Sequence, residues 1–197
     1  MGQSADAGLR TAEEIRALAP EEAVRGRPVR LQGVVTFADA AAGAFWLRDW
    51  GLGVRVQTTT AAVSPGDLVE VTGQSVLGFA PEARADVVKR LGNSPLPPPF
   101  SVRAERLSAV TNDAQWVRLA ATLTALQPQA GGCSVSFEVG RESVDGFLSL
   151  AAGEASPTNL VGAKVFVQGV LEARTNAAGQ FAGMRLLVPG AKSLTRS

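Results

Sequence analysis

Val29-Arg30-Leu31-Gln32-Gly33-Val34-Val35 and Gly66-Asp67-Leu68-Val69-Glu70-Val71-Thr72-Gly73 decide the fold of this chain. In the first, Val29, Leu31, Gly33, Val35 and then Phe37 fall on one side, with Arg30, Gln32 and Thr36 on the other. That period of two belongs to a half-buried strand. In the second, Val69 and Val71 alternate with Glu70 and Thr72, and Val54 and Val56 alternate with Arg55 and Gln57 between them. Gly33 at a core-facing position marks a bend or bulge that lets a short strand turn a barrel corner. Short alternating strands with Gly-rich turns predict a small antiparallel barrel rather than a doubly wound sheet.

The same order of elements then recurs. Val117-Arg118-Leu119-Ala120-Ala121-Thr122-Leu123 matches the stretch at 29–35, and Gly162-Ala163-Lys164-Val165-Phe166-Val167-Gln168-Gly169 matches the one at 66–73. A loop ending in Phe follows each, at Phe79 and Phe181. Between the repeats lies Gly92-Asn93-Ser94-Pro95-Leu96-Pro97-Pro98-Pro99-Phe100, too rich in proline for a helix or a central strand. The chain therefore divides into residues 1–99 and 100–197, with the linker at about 92–100. A helix is expected ahead of each barrel. Thr11-Ala12-Glu13-Glu14 is an N-terminal cap with acids in the first turn, running to Pro20 and giving a helix at 11–19. Ser101–Leu107 is its weaker counterpart. Each helix is expected to plug a barrel end or pack on the neighbouring repeat.

Composition narrows the chemistry. With no His and a single cysteine, Cys133, neither a His-dependent triad, a Cys-His dyad, a conventional zinc site nor an intrachain disulfide is available. Cys133, beside a strand, reads as a small buried filler. Gly51-Leu52-Gly53 reads as a hairpin turn, since the third glycine of a dinucleotide loop is missing. Asp39, Asp49 and Asp67 stand at turns, which suits their side chains and favours neither paired-carboxylate catalysis nor a metal site. The expectation is a non-enzymatic protein without metal or cofactor. Net charge is +1, and residues 1–100 carry ten basic and eleven acidic side chains against nine and seven in the remainder. Neither half is a basic domain, which counts against a phosphate-tracking role.

The helix, the strand at 25–36, the aromatic-rich strand at 45–50, the Pro-Gly-Asp turn at 65–67 and Gly78-Phe79 together resemble an OB-fold. The fold expected is thus mainly all-β: two tandem five-stranded Greek-key barrels of the OB type, each preceded by a short helix. The lead from Leu9 to Ala23 is similar to that of the tandem OB region ahead of membrane-anchored bacterial signalling proteins such as sensor histidine kinases. That resemblance implies a periplasmic or extracytoplasmic sensor module binding a small molecule, protein or peptide, with nucleic acid disfavoured. The polar start at Met1-Gly2-Gln3-Ser4 is compatible with a signal or anchor lost from the chain. The second repeat, without the Pro-Gly-Asp turn and the aromatic strand, is the weaker candidate for binding.

In an OB barrel the ligand face is formed by the second and third strands and two flanking loops. With Phe45 and Leu47 inward, Trp46 and Arg48 point outward and are joined by Arg55 and Gln57; the loop at 74–82 presents Leu77 and Phe79. An indole beside two guanidiniums can stack on a ring and fork onto an anion. The alternative is a Trp46 covered by the leading helix or the second repeat, with Arg48 paired to Asp49 or Asp67. Trp50 is expected to pack on the barrel end, Trp116 to anchor the domains, and Phe79 and Phe181 to plug loops. A second functional class is open: the strands at 45–49 and 54–57 also resemble the anticodon-binding OB domains of some aminoacyl-tRNA synthetases, so a single-stranded nucleic-acid-binding protein is the alternative.

Overall fold

The alternation at 29–35 forms the first strand, β1 (Pro28–Asp39), followed by β2 (Ala44–Arg48), β3 (Gly53–Gln57), β4 (Asp67–Leu77) and β5 (Pro81–Asn93). These belong to a computed structural model that describes residues 8–59 and 62–197 and divides into units Met1–Pro97 and Pro98–Ser197. In the first unit the strands close in the order β1-β2-β3-β5-β4. Every pairing is antiparallel except β3 with β5, which is parallel and joins Val56 to Ala83 and Gln57 to Arg84. That connectivity is the OB barrel. Its core holds Val29, Leu31, Val35, Phe45, Leu47, Val54, Val56, Val69 and Val71.

Gly33 is where β1 crosses from one neighbour to the other. A Cβ there would lie 2.5 Å from the Arg48 carbonyl oxygen and 2.6 Å from a Leu47 methyl. Only a residue without a side chain allows β1 and β2 to approach so closely. A second irregularity departs from the period-two reading. The β1–β2 register shifts between Val35 and Phe37. This bulge turns Phe37 out of the core, and the half-buried Ala38 packs against the core instead.

Ahead of the barrel stands α1 (Ala12–Arg16), which ends earlier than expected. Pro20 does not merely stop a helix. It occupies the first turn of a second one, α2 (Pro20–Ala23), where its missing N–H costs nothing. The Thr11 hydroxyl accepts from the Glu14 amide at 3.1 Å, and the Glu14 carboxylate accepts from the Arg10 and Thr11 amides at 2.6 and 3.1 Å. Those amides, Arg10 first, hold the Glu14 carboxyl below its usual range. Ala12 and Ile15 are fully buried in the barrel core.

The second unit adds β6 (Phe100–Ser101), β7 (Trp116–Gln129), β8 (Gly132–Val139), β9 (Glu142–Ser149), β10 (Lys164–Thr175), β11 (Phe181–Val188) and β12 (Leu194–Arg196). Five of them, β7-β8-β9-β11-β10, close through the β10–β7 pairing, with β9 and β11 parallel; β6 and β12 are additions at the rim. The helix expected at 101–107 is only a 3-10 turn at Ala104–Arg106, with another at Val110–Asn112. Cys133 is buried with its Sγ 3.3 Å from the Ser156 hydroxyl. Among the described residues no helix is long and apolar enough to cross a membrane, and no cluster of potential metal ligands occurs.

Candidate nucleic-acid interface

The β2–β3 hairpin sets the outer face through its cross-strand pairs, Trp46 opposite Arg55 and Ala44 opposite Gln57. Residues opposite one another share a face, so Trp46, Arg55 and Gln57 do project together from the barrel wall. Trp46 is nevertheless only 1% exposed. The displaced Phe37 meets it edge-on, with ring centroids 5.7 Å apart, and the Arg55 guanidinium lies 5.7 Å from the indole centre. The bulge in β1 thus supplies the ring that the sequence alternation assigned to the core. Trp46 is a packed aromatic rather than an open stacking platform.

Arg48 is also buried, and burial lowers its pKa. Its Nε donates to the Gly51 carbonyl at 3.4 Å. Of the two carboxylates considered as its partners, Asp49 opposes that burial effect with its charge. Asp67 binds Arg90 at 2.7 Å, whereas Asp49 accepts from the amides of Gly51 at 2.7 Å and Ala12 at 2.6 Å, tying the β2–β3 turn to the start of α1. Trp50 is fully exposed at the hairpin tip instead of packing on the barrel end. Leu77 is exposed and Phe79 half-buried, both on the β4–β5 loop side. Phe181 is exposed as well, while Trp116 is fully buried.

Two of the six candidate residues remain accessible in one place. Arg55 and Gln57 line an open groove of about 680 Å³ together with Thr58, Thr59, Arg84 and Asp86. Its floor is the β3–β5 seam, since Gln57 pairs with Arg84. Arg84 was not singled out from sequence, because β5 reads there only as a terminal apolar strand. The signal present was the alternation Glu82-Ala83-Arg84-Ala85, in which Ala83 is fully buried and Arg84 exposed. Arg84 donates a long hydrogen bond, 3.4 Å, to the Gln74 side chain and is exposed to solvent.

Glu82 organises the rest of this face. Its Oε2 accepts from Arg55 at 2.7 Å and from Gln57 at 3.1 Å, while the side chain is almost completely buried. Its Oε1 sits against Gly78, where a Cβ would come within 1.8 Å. The glycine in the β4–β5 loop therefore makes room for the carboxylate. With one edge of its guanidinium held by Glu82, Arg55 keeps a buried Nε that has no acceptor. The arrangement can hold an anion between Arg55 and Arg84 and hydrogen-bond it through the threonines.

No protein-family model matches the chain, and no curated protein matches it. Solved structures similar to it include a murine DNA binding protein bound with ds DNA, 12% identical with a TM-score of 0.38 over 85% of this chain and 96% of that one. The Ifi202 HINa domain in complex with 20bp dsDNA is 6% identical, with a TM-score of 0.37 over 85% and 94%. Fission yeast Pot1 with ssDNA is 10% identical, with a TM-score of 0.39 over 95% and 87%. These three are complexes with DNA. The expectation of an extracytoplasmic sensor for which nucleic acid is a poor partner is corrected on that finding and withdrawn. The net charge behind that expectation averages over the chain and does not report that the β3–β5 seam brings Arg84 beside Arg55, the latter paired with Glu82, with Asp86 on the same groove.

Proposed function

We propose that the chain is a non-catalytic module that binds single-stranded nucleic acid, and that its first barrel holds the sugar-phosphate backbone in the groove above β3 and β5. The observation that carries this reading is the exposed Arg84 beside Arg55, Gln57, Thr58 and Thr59 along one open groove. Arginines and hydroxyls are the usual partners of phosphate oxygens, and such contacts fix position without reading sequence. The burial of Trp46 removes the stacking surface an OB face often offers. Binding on this site is accordingly backbone-directed, salt-sensitive and weakly dependent on base sequence.

The test is fluorescence anisotropy of short single-stranded oligonucleotides with the full chain across a salt series. For one phosphate neutralised by Arg84, since Glu82 already offsets the charge of Arg55, the slope of log K against log salt attributable to this groove is about −0.7. The double variant Arg55→Ala, Arg84→Ala is expected to lose that part of the slope and weaken binding to all sequences alike. Absence of oligonucleotide binding at low salt, or a double variant with unchanged affinity and slope, would refute the reading.

A further inference from the structure

The two barrels carry the same wall, β1 with β4 in the first and β7 with β10 in the second, and the two walls differ in how their charges are satisfied. In the first, Arg30 and Gln32 both donate to the Glu70 carboxylate, at 3.2 and 2.8 Å. The wall neutralises itself. Gln32 first, and Arg30 after it, hold the Glu70 carboxyl below its usual range. A Gln32→Ala variant is therefore expected to raise the Glu70 pKa towards the ordinary value, as read by NMR titration of its side-chain carboxyl. The sign follows from the depressed folded-state value: Glu70 contributes stability at neutral pH, and that contribution is lost as pH falls from the ordinary carboxylate pKa through the lowered one.

In the second barrel the corresponding positions are Arg118 for Arg30, Ala120 for Gln32 and Phe166 for Glu70. The carboxylate is gone, and the register places Ala120 opposite Phe166, Arg118 opposite Gln168 and Thr122 opposite Lys164. The Arg118 guanidinium lies 4.1 Å from the centre of the Phe166 ring. Arg118 and Lys164 are exposed, and neither has a salt-bridge partner among the described residues. The second barrel's own β8–β9 face is the opposite in character. Ser136 donates to Asp145 at 2.9 Å there and Glu142 is exposed, while Glu138, opposite Thr122, borders the β7–β10 wall and lines one shallow pocket with Lys164. A polyanion is repelled by that face, where an OB barrel ordinarily binds, and attracted by the β7–β10 wall.

We propose that the β7–β10 wall is a second contact surface for a single-stranded nucleic acid, a proposal that rests on the function inferred above. Phe166 supports the Arg118 guanidinium, a base stacks on the solvent side of that guanidinium, and Lys164 takes a neighbouring phosphate. Stacking of splayed bases on guanidinium planes and aromatic rings is an established mode of single-strand recognition. Phe166 and Lys164 are two residues apart on one strand face, about 7 Å, so base and phosphate contacts are adjacent.

The decisive variant is Phe166→Glu, which rebuilds in the second barrel the neutralised arrangement of the first. Two more variants control for the added charge: Phe166→Leu removes the ring alone, and Lys164→Ala removes the cation alone. With the full chain and the same oligonucleotides, Phe166→Glu and Phe166→Leu are expected to weaken binding at least about fivefold, the lower bound for one stacked base, with unchanged thermal melting. Lys164→Ala is expected to lower the salt slope by about 0.7. If all three variants bind as wild type while Arg55→Ala, Arg84→Ala weakens binding, the wall is overturned and the groove stands. If wild type binds no oligonucleotide, both proposals fall together.

Discussion

Replacing Ile15 with alanine is expected to destabilise the first barrel by about 3 kcal/mol, the mid-range for deleting a fully buried aliphatic side chain. Ile15 has no exposed surface and belongs to the same core as Val54, Val56 and Ala83. Its helix is five residues long, far below the length at which a helix persists in water by itself. α1 therefore exists because Ile15 and Ala12 are buried, because its capping box is complete, and because Asp49 accepts the Ala12 amide. Truncating Ile15 leaves a cavity at the barrel end and removes the main reason for the helix to dock. Thermal unfolding followed by circular dichroism should show the first unit melting more than about 10 °C lower. An unshifted melting curve would mean that α1 is not part of the cooperative barrel.

A comparable loss, about 3 kcal/mol at the upper end of overpacking effects, is expected for Gly33→Ala, by a different route. Here nothing is removed. The added methyl would stand 2.5 Å from the Arg48 carbonyl oxygen and 2.9 Å from its carbon, both backbone atoms of the neighbouring strand. A side chain could rotate away; a paired strand cannot. β1 and β2 must separate at the point where Val34 pairs with Arg48, which disturbs the hairpin bearing Arg55 as well. Chemical denaturation should show a lower midpoint for this variant, and oligonucleotide affinity should fall with it. A wild-type midpoint would show that the strands can move apart at little cost.

The tandem barrels were legible because a strand's period of two and its glycines are local signals. Gly33 was readable as a bend at a barrel corner from its place in the alternation alone, whereas the close approach of β1 to β2 that it permits needed the structure. The bulge after Val35 was not readable, because no glycine or proline marks it. Its consequence propagates: Phe37 leaves the core, covers Trp46, and converts the most attractive candidate into packing. Arg55 and Gln57 were found by counting along β3. Arg84 was missed because it joins them through a parallel pairing between strands 27 residues apart, as Gln57 to Arg84, which no short-range pattern reports. Trp50 illustrates the limit in the other direction, since a turn aromatic is as compatible with solvent as with packing until the turn is built.

The pairing that closes the first barrel is also its shortest. β3 and β5 share two residue pairs, whereas β4 and β5 run together over eleven. A cylinder joined so unevenly opens along its narrowest join, and it is the join whose strands carry Arg55 on one side and Arg84 on the other. An anion held by both arginines acts as a clasp across that line. Its binding energy goes into keeping the cylinder shut, so occupancy and resistance to opening rise together at Val56 and Ala83, far more than at the β4–β5 ladder.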